Sequence, residues 1–192
     1  MFTGIAPPYK LNLAQQIGGI SNLAWTNVVA TMHVKSLEKG ETFLRPGDSS
    51  SIFALIFDGV GRHYYVDDQG KEWTKSFAGP GDLLGAYAEM LQAQESRTFI
   101  EAVSPMKVIQ GGKRELDLMH SPEWDGLWRK LAEDHFIKKE NREYEFLKFD
   151  ALARYQSYMK YYQQLDHLIP RKFVASYLGI TPQALSRITV KS

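Results

Sequence analysis

Three textures of hydrophobic and polar positions follow one another along the chain. In residues 8–33, Leu11, Ala14, Ile17, Ile20 and Leu23 recur every three or four positions and predict helix, although Gly18-Gly19 interrupts the run. Asn22 is placed to cap a second helix carrying Leu23, Trp25, Val28, Val29 and Met32. From residue 34 to about 114 the period shortens. Lys39-Gly40-Glu41, Arg45-Pro46-Gly47-Asp48, Asp67-Asp68-Gln69-Gly70 and Gly79-Pro80-Gly81-Asp82 hold Gly, Pro and Asp where reversals need them. Between these turns, residues 52–57, 62–66, 71–77, 97–102 and 106–110 read as strands, a spacing that predicts a sandwich or barrel. Residues 83–94 lack β-branched side chains and predict a short helix inside the β region.

The third texture is helical again. Ser121 suits an N-cap, Pro122 suits the first turn, and Trp124, Leu127, Trp128, Leu131 and His135 repeat at helical spacing. Gly126 is the sole Gly or Pro before Pro170, so a helix of about 25 residues should run to a joint near 148–150. Such a stripe is buried either by a symmetry-related copy in a dimer or by packing onto the β region.

The most specific stretch is residues 169–191. Pro170 starts a helix whose apolar face is Phe173, Val174, Tyr177 and Leu178, and Gly179 ends it in the left-handed conformation that glycine adopts most readily. Thr181 caps a second helix, with Pro182 at its first position and Leu185 and Ile188 facing inward. Ala175, four positions before the glycine, lets the two helices approach closely. This is the pattern of a helix-turn-helix, whose second helix enters the major groove of DNA by its N-terminal half. Gln183, Ala184, Ser186, Arg187 and Lys191 are left pointing outward. Arg187 can hydrogen-bond guanine with two prongs, and Gln183 can pair with adenine or a neighbouring base. Ser186 suits a base or a phosphate, and Thr181, at the positive end of a helix dipole, suits a phosphate. Arg171 and Lys172 are placed to grip the DNA backbone, giving affinity without sequence choice.

Charge strengthens this reading. The 192 residues carry 23 Lys+Arg and 22 Asp+Glu, a net +1, yet residues 151–192 hold six bases and one acid. A basic tail on an acidic body is the footprint of a segment that meets a polyanion. The chain has no cysteine, which excludes disulfides, thiolate zinc sites, cysteine nucleophiles and cysteine-held iron–sulfur clusters. No two of the five histidines lie within ten residues of each other, which speaks against a histidine metal site and against the catalytic metals of cupin-like rolls. No catalytic residue is assigned, and no enzyme activity is expected. Met1-Phe2-Thr3-Gly4-Ile5-Ala6-Pro7-Pro8 lacks the marks of a signal peptide, and no apolar run reaches the roughly 20 residues of a membrane span. A cytoplasmic protein with no membrane partner is expected.

The order of elements resembles the Crp/Fnr superfamily of bacterial transcription regulators over nearly the whole chain. The likeness is strongest in residues 173–188, where Thr181-Pro182-Gln183-Ala184-Leu185-Ser186-Arg187 is similar to the T-P-E-x-L-S-R recognition helix of short members. It implies that Gln183, Ser186 and Arg187 read bases, with glutamine where those members have glutamate. Phe77-Ala78-Gly79-Pro80-Gly81-Asp82-Leu83-Leu84-Gly85 resembles the start of the phosphate-binding cassette of cyclic-nucleotide-binding domains, normally G-E-L-G. By that likeness Gly81, Asp82, Leu83, Arg97 and Thr98 bind an effector. Asp82 would take the ribose hydroxyl, Arg97 the phosphate, and Thr98 would be its hydroxyl neighbour. Aligned instead from the strand that follows, Ser96 takes the arginine's place. The shorter acid and the fifteen positions from Asp82 to Arg97 argue for an effector other than cyclic AMP, nucleotide-like or another small molecule, or for none.

The resemblance implies an α+β fold: an N-terminal β-roll (a double-stranded β-helix, cyclic-nucleotide-binding-like) with flanking helices, a long dimerisation helix and a C-terminal helix-turn-helix. Residues 1–120 would form the sensor, 121–150 the dimerisation helix and 151–192 the DNA-binding domain. The function implied is a homodimeric, sequence-specific regulator on a palindromic operator in double-stranded DNA, with RNA polymerase as a further partner. The sequence stops at Ser192, so no β-hairpin wing is expected after the recognition helix. The rival expectation is a small-molecule-binding β-roll protein that has lost its DNA function.

Overall fold

A computed structural model describes residues 20–190. The helix expected around Leu11, Ala14 and Ile17 lies outside them, as does Lys191. Helix α1 (Asn22–Val29) is capped by Ser21, whose hydroxyl accepts the Ala24 N–H at 3.1 Å. Asn22 is therefore the first helical residue and not the cap, because a Ser one position earlier already meets the orphan N–H.

Eight strands follow: β1 (His33–Leu37), β2 (Thr42–Leu44), β3 (Phe53–Asp58), β4 (Gly61–Val66), β5 (Glu72–Ala78), β6 (Leu83–Gly85), β7 (Phe99–Ala102) and β8 (Met106–Gly111). They form two antiparallel four-stranded sheets, ordered β1-β8-β3-β6 and β2-β7-β4-β5. Alternate side chains face inward, so Leu37, Leu44, Ala54, Ile56, Leu84, Ile100, Ala102 and Val108 fill one core between the sheets. This is the β-roll.

The segment expected to be one helix over 83–94 is divided. Leu83–Gly85 pairs with β3, Phe53 opposite Gly85 and Leu55 opposite Leu83, and helix α2 is confined to Tyr87–Leu91. Local propensity favours helix at Leu83 and Leu84, but burying Leu84 in the roll core overrides it. Helix α3 (Lys113–Leu118) was not expected from the sequence; Glu115 closes its first turn by accepting the Gly112 N–H at 2.8 Å.

A 3-10 turn at Pro122–Trp124 leads into the long helix α4 (Asp125–Lys148), 24 residues. Its N-terminal apolar stripe is covered within the chain. Trp124 and Leu127 are buried with Ile20, Val28 and Met119, with Trp128 and Leu131 alongside. Helix α5 (Ala151–Tyr162) follows a cap by Asp150, whose carboxylate accepts the Ala153 N–H at 2.8 Å. Helices α6 (Arg171–Leu178) and α7 (Pro182–Thr189) complete the described chain. They share a core with the roll: Val60, Phe77 and Val103 are buried with Tyr158, Ile169, Val174, Ala175, Tyr177, Leu178 and Leu185. Phe77 stands at the centre of an aromatic cluster, its ring centroid 6.3 Å from Tyr158, 5.5 Å from Tyr162 and 5.8 Å from Tyr177.

Candidate nucleic-acid interface

The turn between α6 and α7 is built by local chemistry. Gly179 sits at φ +68° and its N–H returns to Ser176 O, while the Ile180 N–H reaches Ala175 O at 3.0 Å. Thr181 then opens α7 as an extended N-cap, its hydroxyl accepting the Ala184 N–H at 3.2 Å, with Pro182 at the first helical position. Ala175, Leu178 and Leu185 are almost fully buried where the helices meet. The two helices are thereby held as one unit.

That packing decides which side chains α7 presents. Gln183, Ser186 and Arg187 are exposed and, three and four residues apart, lie on one face of the helix; Ala184 is half-buried beside them. Arg187 is held on that face by its Nε, which donates to Gln183 O at 3.4 Å. Among the described residues no acceptor holds its remaining guanidinium donors, which suit a bidentate acceptor. Lys172 is exposed near the start of α6, with its Nζ 4.8 Å from the Phe173 ring centroid. Arg171 is less free. It pairs with Asp166, Nη1 to Oδ1 3.3 Å, and Asp166 also accepts the Tyr158 hydroxyl at 2.7 Å.

Further back, α4 carries a second apolar surface. Phe136, Ile137, Tyr144, Phe146 and Leu147 are exposed, Leu147 by 82%. These positions do not overlap the buried Trp124 and Leu127, so the N-terminal half of the helix is covered within the chain and these side chains are not.

The residues expected to bind an effector are held by different partners. Gly81, at φ +103°, donates its N–H to Ile56 O, and the exposed Asp82 carboxylate accepts the Gly79 N–H at 2.8 Å. Asp82 thus closes its own turn, and it borders a cleft of about 750 Å³ shared with Asp58, Lys160, Tyr161 and His167. Leu83 begins β6. Arg97 points elsewhere, 69% exposed, with its Nε 3.1 Å from the carboxylate of Glu89 on α2. Thr98 is buried next to Ser96, whose hydroxyl accepts the Thr98 N–H at 3.1 Å. The acid that meets Arg97 is Glu89, which sequence reasoning missed; the signal was a lone carboxylate in the otherwise uncharged stretch 83–94. Glu89 Oε2 and Thr98 Oγ1 are both buried without a hydrogen-bond partner among the described residues.

Sequence reasoning also missed the contacts that fasten α6 to the roll. Strand β5 is an edge of its sheet, and Ser176 on α6 lies against it. The Ser176 hydroxyl accepts the Thr74 N–H at 2.9 Å and donates to Glu72 O at 3.0 Å. Beside it Arg62 of β4 is fully buried, its guanidinium carbon 3.6 Å from the Phe173 ring centroid and 3.9 Å from that of Tyr64. Arg62 hydrogen-bonds Glu72, and its Nε stands 3.1 Å from Glu101 Oε1, an ion pair without hydrogen-bond alignment. Burial raises the Glu101 pKa, against the lowering pull of Arg62. From α4, Arg142 donates to Tyr177 O at 2.9 Å and to Thr74 O at 3.3 Å.

Among the described residues no group of three or more His, Asp or Glu could hold a metal ion, and no helix is long and apolar enough to cross a membrane. No family model matches the chain, and no curated protein does. Solved structures do match it. FixK2 from Bradyrhizobium japonicum superposes with a TM-score of 0.72 at 18% identity, covering 84% of each chain. The c-di-GMP-responsive global regulator CLP from Xanthomonas campestris gives 0.69 at 11% identity, over 89% of this chain and 91% of that one. A Crp/Fnr-family transcriptional regulator from Eubacterium rectale gives 0.69 at 15% identity, over 88% and 81%. The likeness shows a shared fold: a β-roll, a long helix and a C-terminal helix pair, as in Crp/Fnr-type regulators.

Proposed function

We propose that the chain is a homodimeric transcription regulator that reads a palindromic operator in double-stranded DNA through α7. The observation that carries this reading is the face of Gln183, Ser186 and Arg187, left exposed while Ala175, Leu178 and Leu185 are buried where the two helices meet. Arg187 chooses guanine, Gln183 adenine or a neighbouring base, and Thr181, Ser186, Lys172 and the less free Arg171 meet phosphates. Ala184 borders this face and Lys191 follows it. The basic surplus of residues 151–192 supplies the sequence-independent part of the affinity.

The exposed apolar half of α4 is the dimer seam, since side chains such as Phe136 and Leu147 gain most from a second copy. Residues 1–120 then sense, 121–150 dimerise and 151–192 bind DNA. The roll takes a small-molecule effector, which shifts the population of dimers whose recognition helices stand one DNA turn apart. Glu89, Arg97 and Thr98 are the groups offered to it, supported by the two orphaned buried oxygens, whereas Gly81, Asp82 and Leu83 serve the turn before β6. The protein acts in the cytoplasm as a binding protein and not as an enzyme, with RNA polymerase as a further partner.

Selection of bound fragments from random duplex DNA tests this. The expected product is a two-fold symmetric consensus with half-sites about 10 base pairs apart. Failure to enrich any sequence at low salt would leave a ligand-binding roll without DNA function.

A further inference from the structure

We propose that the edge strand β5 is a docking ledge for the DNA-reading helix pair, and that Ser176 and Arg62 are the positioning residues that set the direction in which Arg187 faces. Neither residue lies on the exposed face of α7. What they share is Glu72 of β5, whose carbonyl accepts from Ser176 and whose carboxylate meets Arg62. The Ser176 hydroxyl meets both the N–H of Thr74 and the carbonyl of Glu72, so two backbone groups of an edge strand that would otherwise need water or another strand are paired by a side chain of α6. The contact fixes α6 both along β5 and across it, because a hydroxyl that donates and accepts at once has one placement that satisfies both bonds.

Arg62 fixes the remaining freedom, rotation of α6 about that contact. Its guanidinium plane lies between the rings of Tyr64, on its own strand, and Phe173, one helical turn before Ser176. Glu72 and Glu101, on the flanking strands β5 and β7, hold the charge in place. Arg142 of α4 then ties Thr74 O to Tyr177 O, so the long helix joins the same ledge. The roll, α4 and the helix pair converge at residues 72–74. Any displacement of β4 and β5 is carried to α7 as a rigid turn, since α6 and α7 share the buried core of Ala175, Leu178 and Leu185.

The docking can be measured without DNA. The chain has no cysteine, so spin labels placed by Asp68→Cys at the β4–β5 tip and Val190→Cys after α7, in labelled chain diluted with an excess of unlabelled chain, report one distance. With native Ser176 that distance should be single and narrow; Ser176→Ala should broaden it, and Ser176→Thr, which keeps the hydroxyl, should restore it. Amide exchange at Thr74 should quicken at least about tenfold in Ser176→Ala, since its acceptor is lost. Phe173→Leu provides a second variant that leaves the backbone bonds in place and removes the ring over Arg62. The operator-reading half of the proposal rests on the function proposed above: Ser176→Ala should tolerate altered half-site spacing while binding random duplex DNA as tightly as the unmodified chain. A broad distance with native Ser176, or one that Ser176→Ala leaves unchanged, overturns the docking ledge whatever the DNA result. A narrow, Ser176-dependent distance in a chain that binds no DNA supports the ledge and refutes the DNA reading instead.

Discussion

Gly179 lies against the ring of Phe146: a Cβ built on the glycine would stand 3.0 Å from Phe146 Cε1, at a backbone φ of +68°. The turn between α6 and α7 therefore meets the end of the long helix at a point with little room and the wrong backbone handedness for a side chain. Gly179→Ala should cost about 1–2 kcal/mol, most of it from the left-handed backbone, because the Phe146 ring is exposed enough to give way. Urea unfolding reads this directly, and a loss under about 0.3 kcal/mol, the scatter of an ordinary surface change, counts against it.

Leu147 separates folding from association. Exposed by 82%, it contributes little to the fold of one chain, so Leu147→Glu should leave thermal unfolding of the monomer nearly unchanged while placing a charge in the proposed dimer seam. Sedimentation should show the dimer weakened by about a hundredfold or more. A variant that stays fully dimeric at micromolar concentration would move the seam elsewhere.

His63 makes stability depend on pH. Burial, with a lesser push from Lys75 and His135, holds its ring pKa down to about 3 against the ordinary 6.5. The unfolded chain takes up a proton below 6.5 that the folded chain refuses until about 3. The stability carried by the neutral ring is thus complete above 6.5 and drains as pH falls, by up to about 1.4 kcal/mol per pH unit. Unfolding free energies between pH 7 and 4 should fall more steeply for the parent than for His63→Gln. Parallel slopes would show that the ring is hydrated in the folded state.

What could be read from the sequence was local. Thr181-Pro182 and Gly179 state the ends of α6 and α7 within a few residues, and the period of Leu178, Leu185 and Ile188 states their buried side. The pattern therefore survives folding. Leu83 and Leu84 were misread as helix because their partner, β3, lies some thirty residues earlier and no short window contains it. Asp82 matched a cassette by its neighbours, yet its carboxylate serves the Gly79 N–H three residues back, a turn contact that any Asp in that place would make. Arg62 shows the limit from the other side. A charged residue on a strand looks exposed until Phe173, Glu72 and Glu101 arrive from separate elements to enclose it. The stripe of Trp124 and Leu127 was likewise real, but α1 and Met119 of the same chain cover it, and the exposed apolar side chains are Phe136 and Leu147 further along.

Lys172 and Arg187 should fail in different ways. Lys172 is exposed at the start of α6, off the face of α7, so Lys172→Ala should weaken binding to all duplexes alike and lower the slope of log affinity against log salt by about one. An unchanged slope would remove Lys172 from the phosphate contacts.

The most direct measurement is the base preference of Arg187→Ala, taken position by position over the selected operator. A guanine preference worth about 1–3 kcal/mol should vanish at one base pair in each half-site, with the other positions and the affinity for random DNA retained. An unchanged preference at every position would contradict the reading of α7 as the helix that chooses the sequence, and so would a uniform loss on specific and random DNA alike.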